Sequence, residues 1–165
     1  MNDLVYKSRQ EQDEHFMSLA IAQAKQALAL GEVPVGAVIV HGTEVIASAY
    51  NRREIDSDPS AHAELIAITN AAKQFNNWRM SDCTIYVTLE PCLMCAGLMH
   101  QARITRCVYG ASDPNAGALG SLYEVHADHR LNHNFAVTTG VLQQECADLL
   151  ATFFQSLRTQ RDPSG

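Results

Sequence analysis

Thr84-Ile85-Tyr86-Val87-Thr88-Leu89-Glu90-Pro91-Cys92-Leu93-Met94-Cys95 changes character halfway along. Thr84–Leu89 has the composition of a strand. Pro91 suits a first helical position, so a helix is predicted over Cys92–His100. Cys92 and Cys95 are three apart and therefore share one helix face, about one turn from each other. They fall in the first turn, where free N–H groups and the helix dipole favour thiolate over thiol.

Upstream, His62-Ala63-Glu64 adds an imidazole and a carboxylate. Ser60 is placed to cap a helix over Ala61–Phe75, with Leu65, Ile66, Ile68 and Thr69 inside it. Side chains two apart lie on opposite sides of a helix barrel. His62 and Glu64 therefore serve one site only where the helix aims its N-terminus at it, and two helix N-termini are expected to converge. His62, Cys92 and Cys95 are the ligand types that suit Zn2+. Three protein ligands leave the fourth tetrahedral position to water, which separates a catalytic zinc from a structural one. Zinc would bring that water's pKa towards neutrality, and Glu64 would carry its proton to a substrate ring and a departing amine. Carbonyl and ammonia would be the products.

Blander readings exist for each motif. A lone C-x-x-C is commonly a redox pair or a structural zinc clip, but no thioredoxin-type βαβ pattern surrounds this one. A structural zinc needs a fourth ligand. Cys83 lies at the far end of the Thr84–Leu89 strand, about 20 Å from Cys92 at strand rise. Cys107 and Cys146 read as small core residues. His126, His129 and His133 read as solvated or hydrogen-bonded loop histidines, not a second metal cluster.

Ahead of these motifs, residues 1–10 read as a loosely held arm. Phe16, Leu19, Ala20, Ala24, Ala27 and Leu28 recur at helical steps from Glu11 onward, and Gly31 suits the C′ position. Val35–Val40 and Glu44–Tyr50 form a hairpin about His41-Gly42-Thr43, and Asn51–Ser60 is a loop. Beyond the thiols, Ile104–Tyr109 is a strand ended by Gly110, Ala111–Gly120 is a loop, and Asn134–Thr139 is a weaker strand. Cys146, Leu149, Leu150, Phe153, Phe154 and Leu157 make the clearest amphipathic stripe. Adjacent Phe153 and Phe154 cannot both face the core, so one is free to flank a pocket. Residues 160–165 read as a disordered tail. The order α-β-β-α-β-α-β-β-α implies an α/β domain spanning 1–165, with a mixed sheet and helices on both faces.

The 165 residues carry a formal charge of −6, 47% hydrophobic and 18% charged side chains. That is ordinary for a soluble globular chain and mildly against a general nucleic-acid binder. No run reaches a membrane span and the start lacks a secretory pattern, so a cytoplasmic location is expected. Five cysteines without regular spacing do not suggest a disulfide framework.

The pattern His62-x-Glu64 with Pro91-Cys92-x-x-Cys95 is itself the known signature of zinc deaminases. Further segments narrow the likeness: Gly31-Glu32-Val33-Pro34-Val35-Gly36-Ala37, Asn51-Arg52, Thr88-Leu89-Glu90 before the thiols, Gly117-Ala118-Leu119-Gly120-Ser121-Leu122, Asn132-His133 and the Phe153-Phe154 helix. Over nearly its whole length the chain resembles the bacterial tRNA-specific adenosine deaminases, which convert a wobble adenosine to inosine. That resemblance implies a cytidine-deaminase-like three-layer α/β/α sandwich with a mixed five-stranded sheet. It implies one Zn2+ per chain on His62, Cys92 and Cys95, with Glu64 as the proton shuttle. Asn51 would hydrogen-bond the nucleoside, and Val33, Pro34, Ala63, Pro91 and Phe154 would line the flipped-out base. The partners implied are a tRNA anticodon arm and a second copy of the chain. Where the family often shows Asp-x-Lys-x-Gly-Ala, this chain has Asp113-Pro114-Asn115-Ala116-Gly117-Ala118, and Gln155-Ser156-Leu157 brings few bases to the last helix. Arg52, Arg53, Arg79, Arg103, Arg106, Arg130 and Arg158 are candidate phosphate contacts. The rival readings are the same chemistry on a free base or nucleotide (guanine, cytosine or a deoxycytidylate) and a non-enzymatic zinc module.

Overall fold

The computed structural model describes residues 5–161. Within them the elements follow the expected order: α1 (Arg9–Ala29), β1 (Gly36–His41), β2 (Glu44–Tyr50), α2 (Ala63–Phe75), β3 (Cys83–Leu89), α3 (Leu93–Ala102), β4 (Arg106–Ala111), β5 (Ala136–Thr139) and α4 (Gln143–Arg161). One mixed sheet runs β2-β1-β3-β4-β5. β1 is antiparallel to β2 and β3, while β3, β4 and β5 are mutually parallel. Parallel neighbours need a crossover, and α3 supplies the one from β3 to β4.

Strand alternation makes the layers. On β1, Ala37 and Ile39 face the core shared with Ala63, Ala67 and Ile68 of α2 and Ala96 and Met99 of α3. Val38 and Val40 face the opposite core, with Phe16, Met17, Ala20 and Ile21 of α1 and Cys146 of α4. The result is the three-layer α/β/α sandwich expected from the sequence. Gly36 lets α1 lie close to the sheet: a Cβ there would overlap the Ala20 carbonyl oxygen and the Ala24 nitrogen. A buried ion pair joins the same layers. Asp13 of α1 takes two bonds from Arg106 of β4, at 2.9 and 2.5 Å, and one from the Tyr86 hydroxyl at 2.8 Å.

Several boundaries differ from expectation. The N-terminal arm is shorter than residues 1–10, because the Ser8 side chain caps α1 by accepting from Glu11 N–H at 3.1 Å; residues 1–4 lie outside the described part. Gly31 does hold the C′ position of α1, at φ +80°, and the N–H of Glu32 bonds the Ala27 carbonyl in a Schellman closure. Ser60 does not cap α2. Its N–H and hydroxyl go to Asp58 Oδ1 at 2.8 and 2.7 Å, and His62 holds the cap position instead. Pro91 is not in α3, whose N-cap is Cys92. Gly110 continues β4 instead of ending it: the strand runs to Ala111, and the missing Cβ is filled by Cys146 Sγ of α4. β5 starts at Ala136, two residues late. Of the expected tail, Gln160 and Arg161 are helical, and residues 162–165 lie outside the described part. Among the described residues no helix is long and apolar enough to cross a membrane.

Candidate metal centre and substrate cavity

Two helix N-termini meet at one point. His62 is the N-cap of α2 in extended conformation (φ −76°, ψ 150°), and Cys92 is the N-cap of α3 (φ −76°, ψ 177°). Neither side chain makes a cap hydrogen bond, which leaves both free to face the other helix. Cys95 follows in the first turn of α3. His62 Nδ1 lies 3.6 Å from each of the Cys92 and Cys95 sulphurs. A tetrahedral zinc with bonds of about 2.05 Å to nitrogen and about 2.3 Å to sulphur has an N···S edge of about 3.6 Å. The donor set therefore fits zinc in kind and in spacing. Among the described residues the potential metal cluster contains these three donors and no fourth.

The sulphurs differ in charge. Cys92 is held down to about 3, first because the Cys95 thiol donates to it and also because His62 does. Cys95, the donor, is correspondingly pushed up. The bond to Cys92 raises His62. A bound cation displaces protons from such a ligand set, and the dipoles of α2 and α3 both favour thiolate.

Glu64, the second residue of α2, is buried beside the ligands at 4% exposure. Burial pushes its carboxyl up. It lines a cavity of about 200 Å³ together with His62, Cys92, Val33, Asn51 and Ala63. The Asn51 amide is fixed by three contacts. Its nitrogen donates to the Val33 carbonyl at 3.2 Å and reaches Glu32 at 3.5 Å, and its oxygen accepts from Arg53 N–H at 3.2 Å. Pro34 and Pro91 are not among the lining residues. Phe154 is 44% exposed on α4 and also outside the lining, while Phe153 is the core member of the pair.

Two carboxylates in this region were not singled out by sequence. Glu32 is 1% exposed and takes Ile55 N–H at 2.7 Å, tying the loop after β2 to the end of α1. Glu90 is 2% exposed, lines the cavity, and accepts from Asp113, Leu119 and Ser121 N–H and from the Ser121 hydroxyl. Burial alone would raise it; these donors outweigh that and hold it below the usual carboxylate range. The one hint in the sequence was an acid directly after an apolar strand, with no polar helix face to explain it.

The arginines divide sharply. Arg106 is consumed by Asp13, so it is not a phosphate contact. Arg52 pairs with Asp56, Arg130 with Asp128, and Arg103 with the His100 carbonyl. Arg53 lines the cavity, and its guanidinium makes no hydrogen bond or ion pair among the described residues. His133 bonds the Ile104 carbonyl at 2.8 Å, in line with a hydrogen-bonded loop histidine.

A sandwich of this topology with a His-Cys-Cys tripod and a buried glutamate defines a class, and comparison with known proteins agrees. Residues 10–111 match the cytidine and deoxycytidylate deaminase zinc-binding region, so the chain belongs to that zinc-binding deaminase family. It is 48% identical over 156 residues to the tRNA-specific adenosine deaminase of Haemophilus influenzae, covering 94% of this chain and 90% of that one. It is 45% identical over 150 residues to the enzyme of the same name from Bacillus subtilis, covering 91% and 93%. A solved structure from work on A-to-I editing by tRNA:A34 deaminases at the wobble position superposes with a TM-score of 0.80 and 40% identity, over 82% of this chain and 99% of that one. Within the family, the chain belongs with the tRNA-specific adenosine deaminases.

Proposed function

We propose that this protein is a zinc-dependent hydrolytic deaminase that converts the wobble adenosine of a tRNA anticodon to inosine, with release of ammonia. The observation that carries the chemistry is the 3.6 Å His-Cys-Cys tripod with the buried Glu64 beside it. The near full-length identity to tRNA-specific adenosine deaminases supports the substrate.

His62, Cys92 and Cys95 would hold one zinc per chain, and zinc supplies the Lewis acidity that makes water a nucleophile near neutral pH. Glu64 takes one proton of the attacking water and delivers it to a ring nitrogen, then takes the second from the added hydroxyl and hands it to the leaving amine. A carboxyl raised by burial is matched to giving as well as taking that proton. The balance is adenosine plus water to inosine plus ammonia. Asn51, already oriented by Val33 and Arg53, holds the nucleoside, and Val33 and Ala63 supply apolar walls. Pro34, Pro91 and Phe154 are assigned to the same substrate-binding surface, and the exposed Phe154 ring suits stacking on a splayed anticodon base. The working unit is a homodimer in the cytoplasm, a single domain per chain.

The test is turnover of an anticodon stem-loop carrying adenosine at the wobble position, against free guanine, cytidine and deoxycytidylate. Inosine and ammonia from the stem-loop alone are expected. Turnover of a free base or nucleotide in preference to the stem-loop would keep the zinc chemistry and reject the RNA substrate.

A further inference from the structure

Glu90 lies next to the metal ligands in sequence, yet its carboxylate points into a separate set of contacts. Oε1 accepts from Asp113 N–H at 3.0 Å and from the Ser121 hydroxyl. Oε2 accepts from Leu119 N–H at 3.2 Å and Ser121 N–H at 3.0 Å. Four donors meet the roughly four lone-pair positions of a carboxylate, so nothing is left over for substrate, proton or metal. Behind the carboxylate stands Gly117, where a Cβ would overlap both oxygens. The loop is thus drawn in by hydrogen bonds and stopped by contact at Gly117. Two more backbone bonds of 2.8 Å sew the same segments together: Glu90 N–H to the Ala111 carbonyl, and Ala118 N–H to the Pro91 carbonyl. Two residues of that loop, Asp113 and Ala116, line the substrate cavity.

We infer that Glu90 is a positioning residue for the substrate, a latch that sets how close the 112–121 loop stands to the ligand-bearing start of α3 and so sets the width of the cavity that receives the base. It acts through the loop and does not touch the reacting atoms. This inference rests on the deaminase reading of the site. It separates the two buried acids of one cavity: Glu64 keeps an oxygen for proton transfer, and Glu90 spends both on the wall.

Three variants test it: Ser121→Ala, Gly117→Ala, and Gly117→Ala combined with Glu90→Asp. Loss of one bond to a charged acceptor is expected to raise KM for the stem-loop about tenfold in Ser121→Ala, with kcat within about threefold. Zinc per chain should equal wild type, and amide exchange at 113, 119 and 121 should quicken. Gly117→Ala should act in the same direction and more strongly. Withdrawing the carboxylate by one methylene in the double variant should recover part of the lost kcat/KM, because the new methyl then has room. Three results overturn the latch: KM unchanged in Ser121→Ala, zinc lost in step with activity, or a double variant with kcat/KM no better than that of Gly117→Ala alone. Should the wild-type protein turn over none of the stem-loop, free bases or nucleotides, the deaminase reading falls, and amide exchange in Ser121→Ala still decides the latch.

Discussion

Glu64 and Glu90 show how much a single side chain's partners decide. Both are carboxylates, both are nearly sealed from solvent, and both border one cavity. Burial dominates at Glu64 and raises it, whereas four donors win at Glu90 and lower it. A raised Glu64 has a pH consequence. On the proposed reading its ionised form accepts the water's proton, so kcat/KM should fall as pH drops through a value above the ordinary glutamate range of about 4.3. A pH–rate profile of the stem-loop reaction checks the sign: an acid limb at or below the ordinary value would show that Glu64 is not the base. Glu64→Gln should cut kcat by about 10²–10⁴-fold. Because the proposed ligand set excludes the carboxylate, zinc measured by atomic absorption should stay at the wild-type level. Zinc lost together with activity would reassign Glu64 to the metal.

At the scale of elements, the site is made by two helix starts, and the sheet and its opposite layer hold them there. His62 caps α2 and Cys92 caps α3. Without zinc, the ends of these helices lose a shared cross-link. Chelation should therefore lower Tm as well as abolish turnover, and added Zn2+ should restore both; activity unaffected by exhaustive chelation would exclude a metal role. The far side of the sheet depends on one buried ion pair, Asp13 with Arg106. Asp13→Ala leaves the guanidinium uncompensated, which costs about 3–5 kcal/mol. For a chain of this size that is roughly a 10 °C loss in Tm by calorimetry. The site is on the other face, so kcat at a permissive temperature should change little. A marked fall in kcat there would mean that α1 communicates with the site.

For the whole molecule, the charge balance matters most. A chain of net charge −6 carries 12 lysines and arginines against 18 acids, so its overall charge gives RNA little general attraction. Most of its candidate phosphate-binding arginines are already paired with acids or carbonyls. On the proposed reading, Arg53, which lines the cavity and has no such partner among the described residues, is the cation best placed to meet a phosphate beside the substrate base. Arg53→Gln should weaken stem-loop binding and reduce the slope of log K against log salt by about 0.7, the value for one phosphate of a single strand. An unchanged slope would place the phosphate contacts elsewhere. On the proposed reading the substrate is an anticodon loop, whose splayed bases can be read by pocket and stacking more than by charge, which suits an acidic chain.

The His62-Cys92-Cys95 cluster and the order of elements were legible in the sequence because each rests on local chemistry. Thiol spacing, helix periodicity and strand alternation are short-range properties. The convergence of two helix N-termini could also be argued, since residues two apart cannot otherwise share a site. Tertiary structure alone decided the rest. Ser60 looked like a cap until Asp58 took its donors, and Gly110 looked like a stop until Cys146 of α4 filled the space beside it. Arg106 looked like a surface cation until Asp13, 93 residues away in sequence, enclosed it. Glu90 found its four donors more than twenty residues downstream. A side chain's type is written in the chain, but whether its charge meets water, a partner or a substrate depends on which distant segments packing brings against it.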